Sequence, residues 1–200
     1  MLSVAEIEQE IQHNLDFLST NMRDLPERHR SMRAVFDHSW KLISEEEQRA
    51  LSMLTVFRGG FTREAAEWIA GANLDLLSAL VAKSLVQRSG EKRFSLHEMM
   101  RQYAAQQLEM TNEIEQARGR YITFFTDLAE IGKRYFGTPL MSDWMERMEQ
   151  DNDNLRAALD YAIALQASEM ALWLGAALWR FWEYRGQMDD ARRGNDVPVT

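Results

Sequence analysis

The chain has 200 residues, a net charge of −8 and no cysteine. The acidic balance disfavours a protein that acts by wrapping nucleic acid, and the missing cysteines exclude disulfides, thiolate metal sites and a cysteine nucleophile. The longest apolar run, 170–179, falls well short of the ~20 residues that a membrane span needs, so we expect a soluble, cytoplasmic protein with no membrane partner.

The first thirty residues predict one amphipathic helix and a connector. Ser3 and Glu6 form a capping-box pattern at the start of a helix over 3–18. The apolar residues of this helix make a single stripe, which needs a partner surface. The stretch 19–30 is polar and contains a proline, as is typical of a connector. We therefore assign residues 1–30 to a helix and connector that follow an upstream helical domain.

Four short helices are predicted next, each beginning at a polar residue that can cap its first turn. These residues are Ser31, Ser44, Thr62 and Asn73. Ser44 precedes three glutamates, which gives a second capping box and an acidic first turn that suits the helix dipole. Gly71 is expected to end the helix that Thr62 begins. The predicted inward residues are Met32, Val35, Phe36, Trp40, Ile43, Leu51, Leu54, Phe57, Leu74, Leu77, Leu80, Val81 and Ser84.

The hydrophobic period changes after the fourth of these helices. Two short runs, 85–88 and 93–96, flank a loop that contains a glycine, and this pattern predicts a small β-hairpin. Helices followed by a hairpin are typical of a winged helix-turn-helix. We therefore assign residues 31–110 to a winged-helix domain within a mainly α fold.

A histidine and a glutamate, His97 and Glu98, lie where the segment 94–104 passes from strand to helix. The histidine has two interpretations. Its imidazole either satisfies the start of the helix or donates an N–H to a phosphate oxygen. Position alone leaves both interpretations open.

Residues 111–200 predict the start of a tetratricopeptide-like antiparallel helical array, because small residues recur where helices would contact each other. The predicted helices are 111–136, 141–149, 152–166 and 168–185. Gly186 is expected to turn the chain after the last of them. The tryptophans Trp144, Trp173, Trp179 and Trp182 are expected to pack in the core or between repeats, with a following repeat covering Trp179 or Trp182. The alternative is a binding surface at an open edge of the array.

Six blocks of sequence together resemble the bacterial STAND (NB-ARC-like) signal-transduction ATPases. The blocks are 25–40 (LPERHRSMRAVFDHSW), 56–62 (VFRGGFT), 76–86 (LLSALVAKSLV), 94–104 (FSLHEMMRQYA), 151–159 (DNDNLRAAL) and 178–182 (LWRFW). The first resembles the segment that leads out of the ATPase core, the next three resemble the winged helix, and the last two resemble the start of the sensor region.

The resemblance implies a nucleotide-gated switch that signals or regulates transcription. In that family an ATPase core binds ADP or ATP, the winged helix folds onto the nucleotide, and helical repeats sense a protein or small-molecule effector. A Met-His-Asp motif places its histidine on the ADP β-phosphate. The matching positions here are Leu96, His97 and Glu98, so His97, with Glu98 beside it, would contact ADP in the parent protein.

The catalytic parts of such an ATPase are missing from this chain. No phosphate-binding G-x-x-x-x-G-K-[ST] pattern is present. We therefore expect no enzymatic activity and no cofactor held by this chain alone, and we expect its partner to be the upstream nucleotide-binding domain of the same polypeptide.

A DNA-binding winged-helix transcription regulator is the alternative. A recognition helix should offer Arg, Lys, Asn or Gln to base edges, whereas the helix that Asn73 begins offers Asp75 and Lys83 among apolar residues. Residues 31–108 hold ten Lys and Arg against nine Asp and Glu. The wing cations Arg88, Lys92 and Arg93 suit a phosphate or a solvated loop equally. The sequence therefore predicts that direct nucleic-acid binding is not the role of this chain.

Overall fold

The computed structural model describes residues 35–90, 92–135 and 137–195, with side chains placed as far as residue 186. The predicted helix over 3–18, its connector and the Ser31 cap lie outside these residues. The chain forms two compact units, Met1–Ile43 and Ser44–Thr200. The boundaries expected from sequence at residues 30 and 110 stay predictions.

The described part of the first unit is helical over 35–41. The Ser39 hydroxyl donates a hydrogen bond to the carbonyl of Val35 at 2.9 Å. Ile43 is buried as predicted, but Val35 is 58% exposed, so it does not share the inward face expected for it.

The second unit begins with a winged helix-turn-helix. Its elements are α1 (Glu45–Met53), one 3-10 turn (Leu54–Val56), β1 (Phe61–Thr62), α2 (Arg63–Ala70), α3 (Leu74–Ala82), β2 (Gln87–Arg88), β3 (Arg93–Ser95) and α4 (Glu98–Met110). Three helices followed by a two-stranded wing agree with the prediction. β1, which lies between the first and second of these helices, was not predicted.

The predicted caps explain why these helices begin and end where they do. Ser44 accepts a hydrogen bond from the backbone N–H of Glu47, whose carboxylate in turn accepts one from the N–H of Ser44. Thr62 and Asn73 accept hydrogen bonds from backbone N–H groups three residues further on, at 3.2 and 2.9 Å. Gly71 ends α2 with a φ of 65°, a conformation that glycine adopts without strain. All four caps confirm the sequence analysis.

The sheet has the order β1-β3-β2 and is antiparallel throughout. Phe94 of β3 pairs with Phe61 on one side and with Arg88 on the other. Both phenylalanines are buried. β1 was not predicted because a strand of two residues is too short to show a hydrophobic period.

The predicted inward residues of α1 and of the 3-10 turn and loop after it lie in the core of the winged helix. Leu51, Leu54 and Phe57 are all buried, and the Phe57 ring stacks on Phe61 at 4.7 Å. Burying side chains of this size stabilises the fold by roughly 1.5–3 kcal/mol each. In α3, the predicted Leu77 and Leu80 are buried, whereas Leu74 is half exposed and Ser84 is exposed.

Four further helices follow, and their ranges are α5 (Ile114–Lys133), α6 (Met141–Gln150), α7 (Asn152–Ala164) and α8 (Ser168–Asn195). α5 starts later than predicted because α4 ends at Met110, Thr111 is its C-cap and Asn112 takes a φ of 56°. The turn predicted at Gly186 is wrong, since α8 continues through it. One glycine inside a helix costs about 1 kcal/mol, which a long helix tolerates.

The winged helix and the helical region share one core. α5 packs against α7, α8 and α2. Phe57 contacts the rings of Tyr121 and Phe125 on α5 at centroid distances of 5.4 and 6.3 Å. The fold is therefore mainly helical with a small antiparallel sheet, which confirms the predicted fold class.

The predicted packing role holds for two of the four tryptophans. Trp144 stacks on Tyr135 at 5.3 Å, and the indole N–H of Trp182 donates to Asn152 at 3.2 Å. Trp173 is instead 56% exposed; Trp179 is 65% exposed, and its expected cover by a following repeat stays a prediction. Among the described residues, no helix taken singly is long and apolar enough to cross a bilayer; α2 and α3 pass that test only as a pair, bent by 104°.

Candidate nucleic-acid interface

The helices α2 and α3 meet at a sharp angle. Their axes differ by 104°, and the three residues between them are the left-handed Gly71, the fully buried Ala72 and the helix cap Asn73. Two helices at such an angle with a short glycine-containing turn form a helix-turn-helix, whose second helix enters the DNA major groove in proteins that bind DNA this way.

The outer face of α3 carries two polar side chains near its start. Asp75 and Ser78 are exposed and stand three residues apart, so they share one side of the helix. Leu77 and Leu80 hold the opposite side in the core. Lys83, at the end of α3, is not part of this face because its Nζ binds the carboxylate of Glu47 at 2.5 and 2.7 Å.

The wing presents two cations to solvent. Arg88 and Lys92 are exposed on either side of the turn, where Gly90 has a φ of 79°. The backbone N–H of Ser89 closes the turn on the carbonyl of Arg93 at 2.8 Å. Neither cation makes a salt bridge to a described residue, so both charges face outward.

The third cation of the wing, Arg93, turns inward. Its side chain is only 14% exposed. Its Nη2 donates to the carbonyl of Gly60 at 2.6 Å, to Oδ1 of Asp151 at 2.7 Å and to the carbonyl of Gln150 at 3.2 Å. Arg93 was predicted to suit a phosphate or a solvated loop like the outer two cations, but its guanidinium joins the wing to the boundary between α6 and α7.

Asn154 completes this connection, and we call Arg93, Asp151 and Asn154 the polar junction. Asn154 is 1% exposed. Its amide N–H groups donate to the Gly60 carbonyl at 2.9 Å and to Asp151 at 3.1 Å. Its Oδ1 accepts from the backbone N–H of Arg58 at 3.0 Å and from the Tyr121 hydroxyl at 2.9 Å. All of its hydrogen-bonding capacity is therefore used.

Burial raises the pKa of Tyr121 well above its usual range, with the nearby Tyr161 and Asp151 adding to the effect. The phenol therefore stays protonated and remains a donor to Asn154. The polar junction was not predicted. The signal was the polar run 151–154 at the start of a helix, which was interpreted only as part of a block that resembles the start of the sensor region.

His97 is an exposed helix cap. Its Nδ1 accepts a long hydrogen bond of 3.4 Å from the backbone N–H of Met99 at the start of α4. This geometry matches the structural interpretation of His97, and the contact with an ADP phosphate stays a prediction.

A cavity of about 260 Å³ is lined by Leu96 and Glu98, the two sequence neighbours of His97, but not by His97 itself. Its lining includes Arg58, Gly60, Leu96, Glu98 and Arg101. Burial opposes ionisation of Glu98, but hydrogen bonds from Arg101 and Gln102 outweigh it, and the pKa of this carboxyl is lowered below its ordinary 4.5. Glu98 is thus held as a carboxylate by Arg101, and its predicted role beside the nucleotide stays untested.

The chain is similar in sequence to three curated proteins whose names describe transcription regulators. Three curated proteins, each named "Putative HTH-type transcriptional regulator", from Mycobacterium bovis and two strains of Mycobacterium tuberculosis, are 30% identical over 198 residues. Each match covers 88% of this chain but 22% of the relative, so the chain spans about a fifth of their length. No family model and no solved structure matches the chain.

The prediction that direct nucleic-acid binding is not the role of this chain is contradicted by these relatives, whose names describe helix-turn-helix regulators. The prediction was wrong because it counted every charge over residues 31–108 as if each were exposed. Several cations in that count are neutralised within the fold, whereas Arg88 and Lys92 are exposed together. The paired cations are Arg49 with Glu113, Lys83 with Glu47, Arg93 with Asp151 and Arg101 with Glu98.

The relatives' names describe regulators rather than enzymes, which agrees with the predicted lack of enzymatic activity. Those names mention neither nucleotide gating nor helical repeats, so the STAND and tetratricopeptide assignments, with their ADP, ATP and effector partners, remain predictions.

Proposed function

We propose that this chain is the winged-helix DNA-binding module, with its adjoining helical region, of a transcription regulator. The observation that carries the proposal is the helix-turn-helix formed by α2 and α3 at 104°, followed by a wing with exposed Arg88 and Lys92. The names of the relatives support the same class of protein.

In this proposal α3 enters the major groove and its first turns meet the bases. The N-terminal residues of a recognition helix are the ones that contact base edges. The Asp75 carboxylate accepts a hydrogen bond from a cytosine N4 amine, and the Ser78 hydroxyl bonds either a donor or an acceptor. Two such contacts give modest sequence preference.

The wing contributes most of the affinity. Arg88 and Lys92 bind phosphate oxygens, which positions the module on the duplex without reading its sequence. Releasing the counterions of those phosphates makes such binding weaken steeply with salt.

Fluorescence anisotropy with a labelled duplex tests the proposal. The double variant Arg88→Glu, Lys92→Glu should lose about tenfold or more in affinity, because two attractive phosphate contacts become repulsive. The control is Arg134→Glu, Arg180→Glu, which makes the same change in net charge at two exposed residues outside the winged helix. An equal loss in both double variants, or no binding by the unaltered chain, would refute the proposal.

Nucleotide gating is a second candidate, favoured by the cavity that Leu96 and Glu98 line on either side of His97 in the sequence. Arg58 and Arg101 line it together with the backbone of Gly59 and Gly60, and both guanidinium groups attract phosphate oxygens. In this proposal the winged helix closes on ADP held by a nucleotide-binding core elsewhere in the longer protein, as the STAND resemblance implies.

This candidate predicts that His97→Ala in the longer protein speeds ADP release, whereas His38→Ala, at an exposed histidine of the first unit, does not. Equal ADP release from both variants and the unaltered protein would show that His97 is only a helix cap.

A further inference from the structure

A groove between α2 and α5 lies open on the surface. Its larger part is a cavity of about 640 Å³, and its smaller part is a cavity of about 190 Å³. Glu64, Trp68 and Phe124 line both parts. We call this surface the Trp68 groove. The remaining lining residues are Arg63, Glu67 and Arg120 in the larger part and Asp127, Leu128 and Ile131 in the smaller.

The groove combines a protruding ring with a cavity beside it. Trp68 is 57% exposed, and Ile131 is 42% exposed at the smaller end. The larger cavity falls within the roughly 300–1,000 Å³ that pockets for drug-sized molecules occupy, so it has room for an indole. Tryptophan is also the residue type most enriched among the anchors of protein interfaces.

The rim of the groove carries both signs of charge. Arg63 and Arg120 contribute two cations, and the carboxylates of Glu64, Glu67 and Asp127 oppose them. A partner with one dominant charge would meet like charges along this rim. A second copy brings both signs, and a two-fold interface pairs a patch with itself, so such a patch must be self-complementary in shape and charge.

We propose that the Trp68 groove is the interface of a two-fold homodimer, in which Trp68 of each copy enters the larger cavity of the other. Glu67 of one copy then faces Arg120 of the other. The proposal does not depend on DNA binding, and its experiments contain no DNA.

Sedimentation velocity on the 200-residue chain tests the dimer. Over an about 100-fold range of concentration, the unaltered chain should pass from monomer to dimer, and Trp68→Glu should raise the dissociation constant about tenfold or more. The control Trp179→Glu, at a similarly exposed tryptophan on α8, should leave it unchanged. A monomer at every concentration, or a dimer lost in Trp179→Glu and kept in Trp68→Glu, overturns the proposal.

A charge exchange tests which residues face each other. Glu67→Arg and Arg120→Glu should each weaken the dimer, because each places like charges across the interface. The double variant should recover dissociation to within about threefold of the unaltered chain, since opposite charges face each other again. If the double variant is weaker than either single one, the proposed pairing is wrong. Circular dichroism checks that each variant stays folded.

Discussion

The Nη2 of Arg93 lies 2.7 Å from Oδ1 of Asp151, and these two residues are 58 positions apart in the sequence. The first belongs to the wing and the second to the boundary between α6 and α7. Asp151 is 3% exposed and is also bound by Arg147 at 3.1 Å. This ion pair fixes the wing strand against the helical region, so a displacement of the wing strand also displaces the helical region.

Removing one charge of this pair should lower the free energy of unfolding. Arg93→Met leaves the buried Asp151 carboxylate with Arg147 as its remaining cation, and we expect the free energy of unfolding to fall by about 2–4 kcal/mol. Chemical denaturation measures the loss. In Arg93→Met, Asp151→Leu the loss should be smaller than the sum of the two single losses, since no unpaired charge stays buried. Strict additivity would show that the pair is not coupled.

Asn154 should contribute far more to the stability of the fold than its neighbour Asp153. Asn154→Ala leaves the N–H of Arg58 and the hydroxyl of Tyr121 without their partner, whereas the Gly60 carbonyl keeps its hydrogen bond from Arg93, and each buried unpaired group costs about 1–3 kcal/mol. We expect a total loss of about 3 kcal/mol in thermal or urea unfolding. The control Asp153→Ala, at an exposed residue, should stay within about 0.5 kcal/mol. Similar losses in the two variants would contradict the assigned role of Asn154.

The ion pair between Lys83 and Glu47 predicts a pH dependence of stability. The hydrogen bond from Lys83 and that from the Ser44 backbone lower the pKa of Glu47 below its ordinary 4.5. A lowered pKa in the folded state contributes stability above the unfolded pKa, and this contribution is lost as pH falls through the folded pKa.

Lys83→Met should therefore reduce the unfolding free energy by about 1–2 kcal/mol at neutral pH, and the difference should shrink as the pH falls below 4.5. Urea unfolding over a series of pH values measures it. Arg49→Met, which breaks a more exposed pair with Glu113, should cost under about 1 kcal/mol. A Lys83→Met loss that is constant across this range would argue against the ion pair.

Gly132 lies against the indole of Trp144. A Cβ at this position would stand 2.1 Å from Nε1 of Trp144, whose ring is held by Tyr135. Gly132→Ala should thus destabilise the fold by about 1–3 kcal/mol. Gly119→Ala, in the same helix but with open space around the added carbon, should stabilise it by roughly 0.5–1 kcal/mol. The melting temperatures should move in opposite directions, and a shift of the same sign would refute the close contact.

Local features of this fold were predictable from sequence. The caps at Ser44, Thr62 and Asn73 formed as expected because each depends on residues within one turn. The wing and its exposed Arg88 and Lys92 were also identified. Gly186 was misjudged, because a glycine that follows a helical pattern is as compatible with a long helix as with a turn.

Features that depend on distant contacts were not predictable. Nothing near Arg93 in the sequence distinguishes it from Arg88, and its inward orientation follows from Asp151 and Gly60 being brought beside it by the fold. The prediction against direct nucleic-acid binding was wrong for the same reason, since a count of charges does not show which of them are paired.

The most direct test of the proposed DNA-binding function is the salt dependence of affinity. For the unaltered chain, the logarithm of the association constant should fall linearly with the logarithm of salt concentration, and removing the two wing cations as Arg88→Ala, Lys92→Ala should reduce the slope by about 2. Arg134→Ala, Arg180→Ala should leave the slope unchanged. A slope that is equal in all three proteins would contradict the claim that the wing contacts DNA phosphates.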